Sequence, residues 1–183
     1  MRTLHYRKPN RLKGYDYSQP GLYFITICIK NRIEYLGKIR NGVMVLNKFG
    51  LIVRNRWLWL EQHFEYVHLD EFVIMPNHMH GILEIKSIAG TNRDLSLQQD
   101  NNNEKQKIKI KPLSELIGAF KTTSSKNIHL AGLNEFIWQR SFYEHIVRNN
   151  ESLKKIRWYI KNNPILWIRD RNRNHELDSD MDF

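Results

Sequence analysis

The hydrophobic positions of this chain follow two different periods, which together predict a protein of mixed helices and strands. Runs rich in β-branched and aromatic residues are typical of strands, whereas apolar residues three and four positions apart are typical of amphipathic helices. Strands are predicted over 22–29, 72–75 and 78–85, with a hairpin over 38–46 that turns at Asn41 and Gly42. Helices are predicted over 49–64, from Pro112 as a first helical residue, and over 151–163 with a stop at Pro164. The segment 138–149 is predicted as a short strand or turn followed by a helical turn.

The most informative segment holds two histidines, His78 and His80, separated by Met79. Side chains at i and i+2 of a strand point to the same face, so the two imidazoles project side by side, close enough to hold one metal ion. Met79 points to the opposite face, where the apolar residues that follow predict burial. Pro76 and Asn77 form a turn signal just upstream. A tight hairpin that presents a histidine pair in the middle of a sheet is predicted, although such pairs also occur in proteins without a metal.

The charge balance points to a polyanionic partner. The chain carries 29 Lys and Arg against 19 Asp and Glu, a net charge of +10 at pH 7. Soluble chains this basic commonly bind nucleic acid, and solubility alone is the alternative explanation. No apolar run approaches the roughly 18 to 20 residues that span a bilayer. The basic N-terminus lacks an apolar signal core, so a cytoplasmic, nucleoid-associated protein without a membrane partner is expected.

The length predicts one domain over 1–183, since a chain of this size can bury a sizeable core. Residues 1–14 form a basic arm, and 174–183 form an acidic tail expected to be frayed. The segment 88–111 contains a stretch with no apolar residue and no period, which is typical of a flexible, low-complexity loop. The single cysteine, Cys28, lies in an apolar run and is predicted to be a small core residue, so cysteines cannot form a zinc site.

A second group of candidate residues lies in the last predicted helix. Tyr159 and Asn163 are i and i+4, so their side chains are neighbours on one flank of the apolar stripe. The Tyr159 hydroxyl can then reach out of the core edge, and Asn163 can offer an amide oxygen to a metal. A tyrosine packed at the core edge and an asparagine near a helix end would show the same spacing, so periodicity alone leaves both explanations open.

Several blocks of the chain, taken together and in order, resemble one protein family. The blocks are 12–17, 20–24, 71–81 with the His78-Met79-His80 motif, 138–149 and 159–164. The family is that of the single-tyrosine HUH transposases, where HUH denotes His-hydrophobic-His, and within it the type associated with repetitive extragenic palindromic (REP) DNA. The resemblance covers most of the chain, and the joint occurrence of the blocks is far more specific than any one of them.

The resemblance implies a fold, a site and a reaction. The expected fold is an α+β, ferredoxin-like sandwich with an antiparallel sheet and the histidine pair on a central strand. His78 and His80 would be metal ligands for Mg²⁺ or Mn²⁺, and Asn163 would be the third ligand, at a position where the family often has glutamine. Tyr159 would be the nucleophile that attacks a DNA phosphate, forms a 5′-phosphotyrosine link and releases a 3′-hydroxyl, so that a second strand can be joined without an external energy source.

The implied partner is single-stranded DNA with hairpin elements, bound by a monomer or a homodimer. Exposed aromatics such as Trp158 could stack on bases. Glu144 and His145 match a Tyr-Glu-His segment of the family, and either a structural role or a supporting role at the site is open for them. Basic residues that could contact DNA phosphates are Arg7, Arg11, Lys13, Lys121, Lys126, Arg140 and Arg148.

Three other functions remain open at this point. The chain could be a different HUH enzyme, such as a replication initiator or a relaxase, which nicks DNA. It could be a non-catalytic DNA- or RNA-binding relic of the fold. It could also be a metallo-hydrolase that uses water instead of Tyr159 as the nucleophile.

Overall fold

The computed structural model of the protein describes Leu12 and residues 14–87 and 109–170, with side chains up to residue 167. Most of the predicted basic arm and of the 88–111 loop, including Arg7, Arg11 and Lys13, and the whole 174–183 tail lie outside the described residues. The elements in chain order are β1 (Gly21–Cys28), a 3-10 turn (Lys30–Arg32), β2 (Gly37–Arg40), β3 (Val43–Leu46), α1 (Lys48–His63), β4 (Val67–Ile74), β5 (His78–Ile85), α2 (Leu113–Leu130), β6 (Tyr143–Val147) and α3 (Asn150–Asp170).

Four strands form the main sheet in the order β4-β5-β1-β6, and every neighbouring pair is antiparallel. If the small β2-β3 hairpin is left out and the four strands of the main sheet are numbered one to four along the chain, their order across the sheet is two, three, one, four. Helices α1 and α2 connect the first strand to the second and the third to the fourth. This is the ferredoxin-like α+β topology, and it confirms the predicted fold class. The histidine pair lies on β5, which is one of the two central strands.

The two faces of the sheet are covered by different helices. Helices α1 and α2 pack on one face over the larger core, in which Trp57, Phe120 and Met79 are fully or almost fully buried. Helix α3 packs on the other face, where Ile156 and Ile160 contact a smaller buried cluster. Because side chains alternate along β5, Met79 enters the larger core and His78 and His80 face α3. The alternation predicted from the sequence is therefore confirmed.

Local sequence explains the hairpin and the start of α1. Asn41 and Gly42 have φ angles of 51° and 75°, the two left-handed residues that a type I′ hairpin turn requires. The predicted Asn-Gly turn is confirmed. Asn47 caps α1, since its Oδ1 atom accepts hydrogen bonds from the backbone N–H groups of Phe49 and Gly50.

The prediction that the last helix ends before Pro164 is wrong. Helix α3 continues through Pro164 to Asp170. A proline inside a helix loses one backbone hydrogen bond and clashes with the preceding turn, at a cost of about 3 kcal/mol. Tertiary contacts on the far side of the proline offset that cost. The Trp167 ring lies 5.5 Å from the His78 ring, and Ile165 Cγ1 lies 3.3 Å from the position that a Cβ atom would take at Gly42 in the hairpin turn.

Other boundaries also differ from the sequence prediction, and β4 begins at Val67 instead of residue 72. Residues Tyr143–Val147 form strand β6, where a helical turn was predicted after a short strand. The partner that makes this segment a strand is β1, more than 115 residues earlier in the chain, so local periodicity could not reveal it. Pro112 precedes the first residue of α2 instead of occupying it. Within the part of the chain that the structure describes, no helix has the length and apolar character to cross a membrane.

Candidate active site

The imidazoles of His78 and His80 meet tip to tip on the face of the sheet under α3. Their Nε2 atoms lie 3.0 Å apart, and only 6% and 3% of the two residues is exposed. Two nitrogen ligands placed about 2.1 Å from one ion, at a right angle to each other, would lie about 3.0 Å apart. The two nitrogens therefore fit neighbouring positions in the coordination shell of a single metal ion.

The other ring nitrogen of each histidine has its own partner. His78 Nδ1 lies 2.8 Å from Asn77 Oδ1, and His80 Nδ1 lies 2.8 Å from the Thr26 hydroxyl on the neighbouring strand. Thr26 is directly opposite His80 in the β1-β5 register. Such contacts hold the rings of metal-binding histidines in place and select their tautomer. Both imidazoles are thus oriented so that their Nε2 atoms converge.

Both histidines are neutral at neutral pH. Burial lowers the pKa of His78 well below its ordinary value, with smaller contributions from His80 and the positive charge of Arg32. Burial, together with Arg32, lowers the pKa of His80 to about 3. Neutral imidazoles have the lone pairs that a metal ion needs. Within the described residues, no group of three or more His, Cys, Asp or Glu side chains is placed to hold a metal ion.

Tyr159 lies against this pair. Its hydroxyl is 3.3 Å from His80 Nε2, and its ring packs edge-on against the rings of His80 and Phe24 at centroid distances of 5.1 and 6.2 Å. The tyrosine follows Ile156 by three residues and directly precedes Ile160, and both isoleucines are buried against the sheet. The helix period therefore places Tyr159 at the core edge, with its hydroxyl directed at the histidines.

Two ion pairs tie α3 to β4 on either side of Tyr159 in the helix sequence. The guanidinium of Arg157 forms a two-pronged hydrogen bond with the Asp70 carboxylate, and Lys161 Nζ lies 2.7 Å from Glu71 Oε1. Asp70 and Glu71 lie where the β4-β5 register shifts, a bulge in the strand. Bulges re-aim side chains. Here the acidic residues are presented to α3, which fixes the helix that carries Tyr159.

Three other residues of α3, two of them predicted from the sequence, lie near Tyr159 along the helix. Asn163 follows one turn later and is buried, with 6% of its surface exposed. Its function as a third metal ligand stays a prediction. Trp167 follows one further turn, and its ring lies over His78. Trp158 is 61% exposed beside the nucleophile candidate.

Glu144 lies on the opposite side of the sheet from the histidine pair. It pairs with Ile25 in the β1-β6 register, and Ile25 belongs to the core under α1 and α2. His145 pairs with Phe24 and shares its face, and burial, with Arg148 nearby, lowers the pKa of His145. A cavity of about 460 Å³ is lined by Glu144, His145 and Arg148, among other residues. The structure thus separates Glu144 from the candidate metal ligands.

Three of the residues predicted to contact DNA lie together outside the histidine site. Lys121, Lys126 and Arg140 line a groove of about 710 Å³ between α2 and the segment 134–140. Lys121 Nζ donates hydrogen bonds to the backbone carbonyls of Gln139 and Arg140, which ties the groove walls together. The backbone N–H of Gln139 also donates to the carbonyl of Cys28, the residue opposite His78 in the sheet. One wall of the groove is therefore hydrogen-bonded to the end of β1 that pairs with His78.

Four residues at the site were absent from the sequence prediction of functional residues: Thr26, Arg32, Asn77 and Trp167. Thr26 could have been found once the β1-β5 register was known. Asn77 resembled an ordinary turn residue, and Trp167 lay beyond the predicted end of the helix. Arg32 gave no sequence signal, since its proximity to the site depends on the turn after β1.

Comparison with known proteins places the chain in a family. No protein-family model matches it. An uncharacterized protein of Haemophilus influenzae is 40% identical over 172 residues, which cover 92% of this chain and 93% of the relative. The chain belongs to the family of that protein.

A solved structure shows the same fold. It is the REP-associated tyrosine transposase bound to a REP hairpin, with a TM-score of 0.54 and 19% sequence identity over 91% of this chain and 87% of that one. At this identity the likeness concerns the fold. It confirms, for the fold, the resemblance to REP-associated tyrosine transposases that the sequence blocks indicated.

Proposed function

We propose that the protein is a transposase: a metal-dependent endonuclease and strand transferase that acts on single-stranded DNA through a phosphotyrosine intermediate. One observation carries the proposal. The Tyr159 hydroxyl lies 3.3 Å from His80 Nε2, which in turn lies 3.0 Å from His78 Nε2. A candidate nucleophile and two nitrogen atoms suited to bind a metal thus converge at one place, within a fold shared with a tyrosine transposase.

The proposed metal site uses His78, His80 and Asn163. Neutral ligands leave a divalent ion its full charge, and the ion would polarise a phosphate oxygen and stabilise the charge that develops in an in-line displacement. Mg²⁺ prefers oxygen ligands, so the two imidazoles suit Mn²⁺ as well. Asp and Glu side chains take no part in this set.

Tyr159 supplies the proposed nucleophile. Its phenolic oxygen forms a bond to phosphorus while the bond from phosphorus to the 3′ oxygen breaks, and the phenolic proton passes to water. The protein is then linked to the 5′ end of one DNA fragment, and the other fragment leaves with a 3′-hydroxyl. Attack by the 3′-hydroxyl of another strand reverses the bond changes, rejoins the DNA and restores the tyrosine.

Single-stranded DNA that contains a hairpin is the proposed substrate, and the cytoplasm is the proposed location. The net charge of +10 supports a polyanionic partner. Lys126 and Arg140 line a groove that includes Gln139, whose N–H donates to the carbonyl of Cys28 opposite His78, and they are candidates to hold a DNA backbone. The structural neighbour is bound to a REP hairpin, which makes palindromic DNA the first substrate to offer.

The proposal is tested by cleavage of a single-stranded hairpin oligonucleotide taken from the flanks of the gene, with Mn²⁺ or Mg²⁺. A label at the 3′ end of the DNA should appear on the protein in a denaturing gel, and a 5′ label should appear on a shorter fragment. Tyr159→Phe should abolish both products. Tyr143→Phe is the matched control, because Tyr143 lies on the same face of the sheet and contacts Phe24.

Each remaining function gives a different result in this assay. Cleavage without a protein-bound product, unaffected by Tyr159→Phe, would identify a hydrolase. Cleavage with an adduct but no joining to a second strand would identify a nickase of the relaxase or initiator kind. DNA binding without any cleavage of the flanking hairpins would favour a binding relic and contradict the proposal.

A further inference from the structure

The side chain of Asn77 links the metal-binding pair to the turn after β1. Its Nδ2 atom donates a hydrogen bond to the backbone carbonyl of Arg32 at 2.9 Å, and its Oδ1 atom lies 2.8 Å from His78 Nδ1. Only 8% of Asn77 is exposed. A carbonyl oxygen can only accept a hydrogen bond, so the amide nitrogen must face Arg32. The orientation of the Asn77 amide is thereby fixed, with its oxygen toward His78.

This orientation determines which nitrogen of His78 carries the proton. The Oδ1 atom of Asn77 is also only an acceptor, so His78 Nδ1 must be the donor. In a neutral imidazole the other nitrogen then has a free lone pair. We propose that Asn77 is a positioning residue that holds His78 in the Nδ1–H tautomer, so that its Nε2 atom is always presented as a metal ligand. The inference rests on the proposed function only in treating His78 as a ligand.

His80 is constrained differently. Its Nδ1 atom contacts the Thr26 hydroxyl, which can donate or accept a hydrogen bond. The 3.0 Å contact between the two Nε2 atoms needs one proton when no metal lies between them. Because His78 keeps its proton on Nδ1, His80 donates from Nε2 and accepts from Thr26. A bound metal would need the Nε2 lone pair of His80, so the His80 proton would then have to lie on Nδ1, where the Thr26 hydroxyl could accept it.

The backbone around Asn77 is built to hold this contact. Asn31 and Arg32 have positive φ angles of 59° and 54°, a conformation uncommon for residues with a side chain. The same loop is joined to the turn by two backbone hydrogen bonds, from Ile29 N–H to the Asn77 carbonyl at 2.9 Å and from Leu36 N–H to the Pro76 carbonyl at 3.0 Å. The Arg32 carbonyl is therefore held at a fixed place relative to the histidine pair.

The direct test is ¹⁵N NMR of the imidazole nitrogens in the metal-free, DNA-free protein at neutral pH. A nitrogen that carries a proton and one with a lone pair have distinct chemical shifts, so the tautomer is read without any activity assay. The wild-type protein should show His78 protonated at Nδ1 and His80 protonated at Nε2. Asn77→Ala should move His78 toward the Nε2–H tautomer, and Asn77→Asp, which keeps an acceptor at that place, should retain the wild-type tautomer.

Metal affinity gives a second readout on the same variants. Asn77→Ala should weaken Mn²⁺ binding about 10- to 100-fold, the usual effect of removing such a partner, and Asn77→Asp should restore much of it. Thr26→Val removes the corresponding partner of His80, so it should also weaken Mn²⁺ binding but leave the His78 tautomer unchanged, which separates the two contributions. Circular dichroism and thermal unfolding test whether each variant is folded. If the alanine variant does not fold, the His78 tautomer of Asn77→Asp is compared with that of the wild-type protein, and a shift to Nε2 in Asn77→Asp overturns the proposal.

The proposal is overturned if wild-type His78 carries its proton on Nε2, or if Asn77→Asp shifts that proton to Nε2. It is also overturned if a folded Asn77→Ala protein keeps the wild-type tautomer and Mn²⁺ affinity. These results are independent of DNA cleavage. A protein that never forms a DNA adduct would contradict the proposed transposase activity and leave the tautomer result intact. A protein that forms the adduct but carries the His78 proton on Nε2 would contradict the function proposed for Asn77 and leave the transposase activity intact.

Discussion

Replacement of Gly81 by alanine should destabilise the core packing on the face of β5 opposite the histidine pair. Gly81 directly follows His80 on β5 and faces the core under α1. A Cβ atom at this position would lie 2.7 Å from Trp57 Cζ2 and 3.3 Å from Phe72 Cβ, whereas ordinary contacts begin at 3.4 Å. The ring of Trp57 is fully buried and is held edge-on against Phe120, so it cannot turn away.

The size of the effect follows from that overlap. The Trp57 contact is about 0.7 Å too short, so either the indole or β5 must move by a similar amount. Overpacking of this kind costs about 1–3 kcal/mol of the free energy of unfolding. Movement of β5 also displaces the neighbouring His80, and we therefore expect weaker Mn²⁺ binding in addition to lower stability.

The assay is guanidinium unfolding of Gly81→Ala beside a Mn²⁺ titration of the folded protein. Gly118→Ala in helix α2 is the matched control, because nothing lies within 4 Å of the added methyl group there. Removal of a helical glycine should raise stability by about 0.5–1 kcal/mol. Wild-type stability and wild-type Mn²⁺ affinity in Gly81→Ala would refute the packing described between β5 and Trp57.

Three other predictions concern the helix that carries the tyrosine and the basic groove. Burial raises the pKa of Asp70, but hydrogen bonds from Arg157 and from a backbone N–H outweigh it and leave the pKa below its ordinary value. The Asp70–Arg157 pair therefore stabilises the folded protein at pH values above the unfolded pKa of about 3.9. This stabilisation is lost as the pH falls through the lower pKa of the folded state. Since the Arg157 side chain is 43% exposed, Asp70→Asn should cost only about 1 kcal/mol at pH 7. A cost that does not shrink as the pH falls from 7 to well below the unfolded pKa of Asp70 would contradict the ion pair. Pro164→Ala restores a backbone donor inside α3 and should raise the thermal midpoint; a lower midpoint would show that the helix does not continue there. Lys126→Ala and Arg140→Ala should each reduce the slope of log K for DNA binding against log salt by about one, and unchanged slopes would exclude the groove as a phosphate track.

The histidine pair and its strand could be predicted from the sequence because the strand period is local. Alternation along 78–85 alone determines which residues share a face, so the shared face of His78 and His80 follows without knowledge of any partner strand. The family resemblance then supplied the overall topology. The contact between Tyr159 and His80 joins residues 79 positions apart. No local sequence pattern can predict a contact between residues so far apart in the chain, and only the family resemblance indicated that Tyr159 and His80 belong to one site.

Other features depend on tertiary structure that overrides local rules. A proline is a sound stop signal for an isolated helix, yet α3 continues through Pro164 because Trp167 packs on His78. Asn77 has the sequence context of an ordinary turn residue, and its second hydrogen bond goes to Arg32, 45 positions away. Strand β6 exists because β1 pairs with it. In each case the deciding partner is distant in sequence, which is why periodicity could not find it.

The central claim, that Tyr159 becomes covalently bound to DNA, is tested most directly by locating the adduct in the protein. After reaction with a single-stranded hairpin DNA and Mn²⁺, the DNA is removed by nuclease and the protein is cut with trypsin. Cleavage after Arg157 and Lys161 releases the peptide 158–161, in which Tyr159 is the one tyrosine. The account predicts that mass spectrometry finds a nucleotide phosphate on this peptide. A nucleotide on the peptide 141–148, which contains Tyr143, would contradict the account, as would an adduct that persists in Tyr159→Phe.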